Sequence, residues 1–291
     1  MKKLTLLLAT AIIYLTAAAQ NEKEKQGNNK DTIRIGGMII IKKGKPSKDG
    51  DVEININGPK PPHKKRNIST NWFIVDLGFA NYNDQSNYAT AGSYLVNRPG
   101  YPALDKNDFK LRTGKSVNVN LWLFMQRLNL VKHHVNLKYG LGLELNNYRY
   151  KSAINYNEGG LVPYTANTQT NAAFIFRDSI LFSKNKLAAD YITVPLMLNF
   201  TSKPFNEKRG VSLSVGVSAG YLYSQRNKQV SSERGKLKNK GDYDLEKFKF
   251  SYIAELGIGP VRLYGSLSPQ SMYEHSLDIR PYNIGFRFSN W

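Results

Sequence analysis

The sequence predicts an all-β fold, a closed antiparallel transmembrane β-barrel of about eight strands behind a signal peptide and a periplasmic N-terminal segment. Three observations carry this. From Trp72 to the end, apolar and polar residues alternate with a period of two. The connections between alternating segments are long and short by turns. The apolar face is bulky and aliphatic, while the other is Gly, Ser and Asn with scattered charges. The 18 Tyr, 13 Phe, 3 Trp and 23 Gly among 291 residues also favour strands and tight turns.

Three regions are expected: residues 1–19, 20–70 and 71–291. Met1 to Ala19 reads as a secretory signal peptide. Lys2 and Lys3 form its positive end, Leu4 to Leu15 its apolar stretch, and Ala17 and Ala19 the small residues before cleavage at Gln20. About 12 apolar residues fall short of the roughly 20 that a spanning helix needs. Asn21 to Ser69 is polar and basic, with Lys42, Lys43, Lys45, Lys48, Lys60, Lys64, Lys65 and Arg66. Its two β-like pieces, Thr32 to Ile41 and Val52 to Asn57, suit either a small hairpin or a flexible periplasmic tether.

The barrel strands follow in order. The first sets Phe73, Val75, Leu77 and Phe79 against Ile74, Asp76, Gly78 and Ala80; the second sets Val117, Val119, Leu121 and Leu123 against Asn118, Asn120 and Trp122. The third, Val135 to Asn146, is the cleanest, with Asn136, Lys138, Gly140, Gly142 and Glu144 on its polar side. The fourth spans Tyr191 to Phe200 and the fifth Val211 to Tyr223. The sixth places Phe248, Phe250, Tyr252, Ala254, Leu256 and Ile258 opposite Lys249, Ser251, Glu255 and Gly257. The seventh begins at Val261, and the eighth carries Tyr282, Ile284, Phe286 and Phe288.

A soluble barrel buries its apolar face; here that face suits lipid, because an eight-stranded interior only just accommodates side chains. Asp76, Glu144, Glu255, Lys138, Arg262 and Arg287 all fall on the polar face, where three acids and three bases are expected to form a structural network in the lumen. Solvated strand charges on a β-sandwich are the alternative. Tyr82, Tyr148, Tyr150, Tyr221, Tyr223, Phe248, Phe250, Tyr273 and Tyr282 are expected toward the outer interface, and Trp72, Phe200 and Trp291 toward the inner one.

Tyr191-Ile-Thr-Val-Pro-Leu-Met-Leu-Asn-Phe200 resembles a strand of Bacteroidetes-type outer-membrane β-barrel proteins, the broad group that includes PorT-like proteins. Asn283-Ile-Gly-Phe-Arg-Phe288 is similar to their closing strand. The resemblance spans Trp72 to Trp291 and implies the barrel fold, insertion by the barrel-assembly machinery and, for some members, service to a secretion system. The chain departs from the commonest endings by running on to Trp291.

Little chemistry is legible. Without cysteine there is no disulfide, thiolate metal site or lipoprotein acceptor. His133 and His134 are adjacent and would face opposite ways on a strand; His63 lies in the basic segment. Glu274-His275-Ser276-Leu277-Asp278 holds the residue types of a hydrolytic triad, but five consecutive loop residues cannot stack into the relay. No enzyme activity, catalytic residue, metal or cofactor is expected, although a site assembled from several outer loops remains an alternative. The net charge of +19 suits anionic lipid headgroups as well as nucleic acid, and export argues against nucleic acid. Arg226, Lys228, Arg234, Lys236, Lys238 and Lys240, read as an outer loop, are either contacts to lipopolysaccharide phosphates or a solvated surface. The expectation is a small non-porin barrel of the outer membrane with a structural or interaction role at the cell surface, in contact with lipid and lipopolysaccharide. The alternatives are a secretion or assembly component that docks periplasmic proteins through residues 20–70, and an outer-membrane enzyme.

Overall fold

The computed structural model describes residues 32–35, 38–41, 66–206 and 209–289. The expected signal peptide, the Val52–Asn57 piece and Trp291 lie outside the described residues. In the N-terminal unit, β1 (Thr32–Ile35) and β2 (Met38–Ile41) pair antiparallel, with Thr32 opposite Ile41. The first of the two β-like pieces is thus itself a pair of strands, and the second, Val52–Asn57, lies outside the described residues.

In the second unit the strands are β3 (Ile68–Asp84), β4 (Leu95–Val96), β5 (Val117–Val131), β6 (Val135–Arg149), β7 (Ile154–Asn157), β8 (Gly160–Leu161), β9 (Gln169–Thr170) and β10 (Phe174–Arg177). They continue with β11 (Lys184–Thr201), β12 (Val211–Ser231), β13 (Gly235–Lys240), β14 (Phe248–Ile258), β15 (Val261–Leu267) and β16 (Ile279–Phe288). β3, β5, β6, β11, β12, β14, β15 and β16 are antiparallel neighbours in chain order, and β16 returns to β3, so the eight form a ring. Meander connectivity follows from the short turns at one end. In the β5–β6 turn, Lys132 (φ 45°) and His133 (φ 60°) are left-handed, and the Asn129 side chain accepts from His133 N at 2.6 Å.

Alternation places the apolar side chains outside. Along β11, Leu196 is 49% exposed, Met197 2% and Leu198 43%. The outward face of the other ring strands is built likewise from residues such as Leu77, Phe79, Leu121, Val215, Val217, Leu263 and Phe286. Inside lie Asn, Ser and charge, together with one apolar layer of Ile74, Trp122, Met125 and Met197, against which Ile253 packs. Trp122 fits because Gly142 faces it across the β5–β6 pair; a Cβ there would meet the indole at 2.6 Å.

A strand crosses the bilayer in roughly 9–11 residues. At 21, 18 and 17 residues, β12, β11 and β3 are longer, and their outer ends rise past the membrane. There the long connections fold into a cap. β10 pairs parallel with β4 and antiparallel with β7, and β8 pairs with β9.

The aromatic expectation needs correction at this level. Tyr221, Tyr223, Phe248, Phe250 and Tyr282 point outward, but Tyr148, Tyr150 and Tyr273 are buried inside the rim beneath the cap, and half-buried Tyr82 packs against Tyr148. Above the membrane the ring's exterior meets water, so its interior becomes the favourable place for large apolar rings. The basic stretch Arg226 to Lys240 is likewise no loop: β12 runs to Ser231 and β13 returns beside it.

Leu196→Arg, at the middle of the outward face of β11, is expected to cost roughly 2–4 kcal/mol in a bilayer. It should lower the temperature at which the folded band converts on heat-modifiability gels. An unchanged transition would contradict lipid exposure of that face.

Candidate functional site

Two groupings of polar side chains stand out, one inside the ring and one on the rim. Inside, Arg287 on β16 holds Asp76 on β3 through two bonds of 2.7 Å, from Nε to Oδ1 and from Nη2 to Oδ2. Its Nη1 reaches Glu255 Oε2 on β14 at 2.5 Å. Lys138 on β6 donates to both Glu255 oxygens at 2.9 and 2.8 Å, and Arg262 Nη1 stands 3.5 Å from Oε1. Trp122 Nε1 and Asn120 Nδ2 both donate to Asp76 Oδ2, at 2.7 and 3.1 Å. These carboxylates are therefore desolvated but fully bonded, the condition under which buried charge is tolerable.

Five of the six lumen charges read from the sequence thus meet in one cluster. Glu144 does not join it directly. It pairs with Lys249 on β14 and accepts from Asn146 Nδ2 at 3.0 Å and Asn283 Nδ2 at 3.3 Å. Asn118 links the two groups, donating to Asn120 Oδ1 at 3.1 Å and Asn146 Oδ1 at 2.9 Å while Tyr264 OH donates to its Oδ1. Sequence reasoning missed Lys249 as a partner, although it shares the inward parity of Glu255. The Trp122 donor was missed because an aromatic on the polar face reads as filler.

Above this network the lumen is closed by rings. Tyr156 OH bridges Tyr150 OH at 2.6 Å and Tyr273 OH at 2.7 Å, and Tyr94 OH donates to Tyr243 O at 2.9 Å. Burial raises the Tyr94, Tyr156 and Tyr273 hydroxyls well above their ordinary pKa, so this layer is uncharged. Two ion pairs brace the cap: Arg177 to Asp108 at 2.6 Å between two of its connections, and Arg234, in the β12–β13 turn, to Asp178 at 2.7 Å.

On the rim, His275 does meet an acid from a second outer connection. Its Nδ1 lies 2.8 Å from Asp244 Oδ1, and Ser276 Oγ donates to Asp244 Oδ2 at 3.1 Å. This is not a nucleophile relay, because Ser276 binds the carboxylate and not the imidazole. Nε2 faces Glu274 at 4.0 Å, and the imidazole side chain is 72% exposed. Asp244, Glu274 and His275 are the group of potential metal ligands among the described residues. Both Asp244 oxygens already serve as acceptors, so the set reads as a clasp between two loops. The hydrogen bond to Asp244 raises the His275 pKa. His133 and His134 belong to a turn, where His134 Nδ1 lies 2.8 Å from Thr201 O.

The six basic residues read as an outer loop divide in the same way. Arg226 pairs with Asp190 and Arg234 with Asp178. Lys228, Lys236, Lys238 and Lys240 make no ion pair among the described residues.

Arg287→Met removes the counterion of Asp76 and one of those of Glu255, and is expected to cost about 3–5 kcal/mol. Arg287→Met with Asp76→Asn should recover part of that loss. Urea unfolding in micelles followed by Trp fluorescence checks this; a single variant as stable as the parent would contradict a working network.

Comparison with known proteins agrees with this architecture. Residues 75–278 match the family model described as the outer membrane protein beta-barrel domain. No curated protein matches significantly. Among solved structures, the chain is similar to Ail, the attachment invasion locus protein of Yersinia pestis, at 12% identity and a TM-score of 0.28, covering 75% of this chain and 98% of that one. It is also similar to a mutant of the Rh. blastica porin, at 10% identity and a TM-score of 0.16, covering 76% and 99%. Likenesses this distant carry no argument. The assignment rests on the family model and on a ring of strands with apolar side chains outside: the chain belongs to the outer membrane protein β-barrel domain family and resides in the outer membrane.

Proposed function

We propose that this protein is a small non-porin barrel whose role is structural or interactive: it holds a folded cap at the cell surface and does not conduct solutes. The closed lumen is the observation that supports this reading. A charged network spans it at the level of Asp76 and Glu255, and the Tyr150–Tyr156–Tyr273 layer covers it above. An interior this narrow is filled by its own side chains. Outside the membrane the folded cap supplies the surface that a partner would meet, and the rim clasp at His275 supports no relay that would favour an enzyme.

A second reading makes the chain a component of a secretion or assembly machine. The Tyr191–Phe200 and Asn283–Phe288 strands favour it through their likeness to Bacteroidetes-type, PorT-like barrels, with residues 20–70 as a periplasmic docking arm.

Planar-bilayer recordings of the full chain, inserted from micelles in which it migrates as a heat-modifiable band, are expected to show no steady conductance steps. Reproducible open steps of porin size would contradict the proposal.

A further inference from the structure

The rim carries a feature that neither the lumen network nor the cap accounts for. On its outward face, Arg149 of β6 stands opposite Lys186 of β11, Lys186 opposite Lys228 of β12, and Lys228 opposite Lys238 of β13. Directly opposed residues share a face of the sheet. With neighbouring strands about 4.8 Å apart, the four cations form one line of about 14 Å. Arg226 and Lys240 face each other in the row below, toward the membrane, and Lys184 and Lys236 flank Val230 in the row above.

A single bulge turns this row outward. The β11–β12 register shifts between Asp190 and Tyr191, leaving Tyr223 as the extra residue of β12. Below it the odd-numbered residues of β12, from Val211 to Tyr223, point outward; above it the even-numbered ones do, and Asn227, Gln229 and Ser231 are buried. An unbroken register would aim Lys228 at the lumen.

The row has almost no compensation. On β11 and β12 the acid of this face is Asp190, which Arg226 already holds; at the β13 end Glu158 lines a pocket with Lys238 and Lys240 and accepts from Asp242 N at 3.2 Å. Lys186 Nζ donates to Asn147 Oδ1 at 2.5 Å and Arg149 Nη2 to Ser183 O at 2.8 Å, both neutral acceptors. Among the described residues none of Lys184, Lys186, Lys228, Lys236, Lys238 and Lys240 is ion-paired. Like charges directly opposed across a sheet repel, and a bound polyanion relieves that repulsion.

The position selects the polyanion. The same strands present Ile192, Val194, Tyr221 and Tyr223 just below, on the same outward face. At about 3.3 Å per residue, Arg226 lies about 10 Å and Lys228 about 16 Å along the strand from Tyr223, less in height because barrel strands tilt. Lysine stems reach back down along the surface toward an interface. The row therefore stands where lipid headgroups end and lipid-borne sugars begin.

We propose that the outward face of β6, β11, β12 and β13 binds the phosphate groups of an anionic glycolipid of the outer leaflet, with Arg149, Lys186, Lys228 and Lys238 as its central row. This rests on the surface-barrel reading above and names the lipid chemistry that the surface takes.

The full chain, folded in micelles, is titrated with bisphosphorylated lipid A, with the same lipid after phosphatase treatment, and with soluble polyphosphate. The test variant is Lys186→Gln/Lys228→Gln/Lys238→Gln, and the control is Lys106→Gln/Lys110→Gln/Lys151→Gln, which removes equal charge elsewhere. The parent and the control should bind phosphorylated lipid A at least tenfold more tightly than the test variant does. Removing the phosphates should bring the parent down to the variant's level. Equal binding by the test variant, or equal binding of both lipid forms, would overturn the proposal. Polyphosphate bound as tightly as the lipid would also overturn it, in favour of a soluble polyanion. Heat-modifiable migration of every variant shows that a loss belongs to the site; a parent lacking it would remove the barrel reading itself.

Discussion

Hydrocarbon offers no water to a backbone N–H or C=O, so a strand that crosses it must be hydrogen-bonded along both edges. That requirement governs the rest of this molecule. The β3–β16 and β11–β12 ladders leave no ring strand with a bare edge in the membrane. Once the ring is closed, a pleat of period two sends each side chain to lipid or to a narrow lumen, with no third choice. Leu, Val and Phe go outward and Asn, Ser, Gly and charge inward as a consequence of closure. The buried ion pairs follow in turn, since a lumen filled by side chains tolerates the buried Arg287 and Lys138 only where Asp76 and Glu255 meet them.

The same ring reverses its polarity where it leaves the membrane. Below the Tyr221–Tyr223 belt the exterior is apolar and the interior polar. Above it the interior holds Tyr148, Tyr150, Leu187 and Tyr273, and the exterior holds Arg149, Lys186 and Lys228. Each half follows the same rule with a different solvent outside. The bulge at Tyr223 lies at the changeover, where one extra residue exchanges the faces of β12 without breaking its pairing with β11.

This reversal sets how far the sequence could be read. The eight strands are legible because in the membrane every second residue answers to lipid, and Val135 to Leu145 shows it without interruption. The inward charges are legible for the same reason, since parity alone puts Asp76, Lys138, Glu144, Glu255, Arg262 and Arg287 on one side. Which acid meets which base is a matter of strand order and stagger around a closed ring. Glu144 finds Lys249 far along the chain, and no spacing in the sequence announces it. Above the membrane the alternation persists, but the apolar residues change to the inward set, as Tyr148 does in β6. Tyr148 and Tyr150 look like belt residues until the cap is seen to bury them, and the lysines of Arg226 to Lys240 look like a loop until the bulge is seen to turn β12.

The central claim is that the apolar rows face lipid, and the absence of native cysteine allows it to be probed one position at a time. Single cysteines at Leu196, Met197 and Leu198, spin-labelled in bilayers, should show collisions with membrane-dissolved oxygen at 196 and 198. Position 197 should show little access to oxygen or to an aqueous nickel chelate. If 196 and 198 were shielded from both reagents and immobilised, the Leu and Val rows would be a sealed core, and the membrane barrel would be wrong.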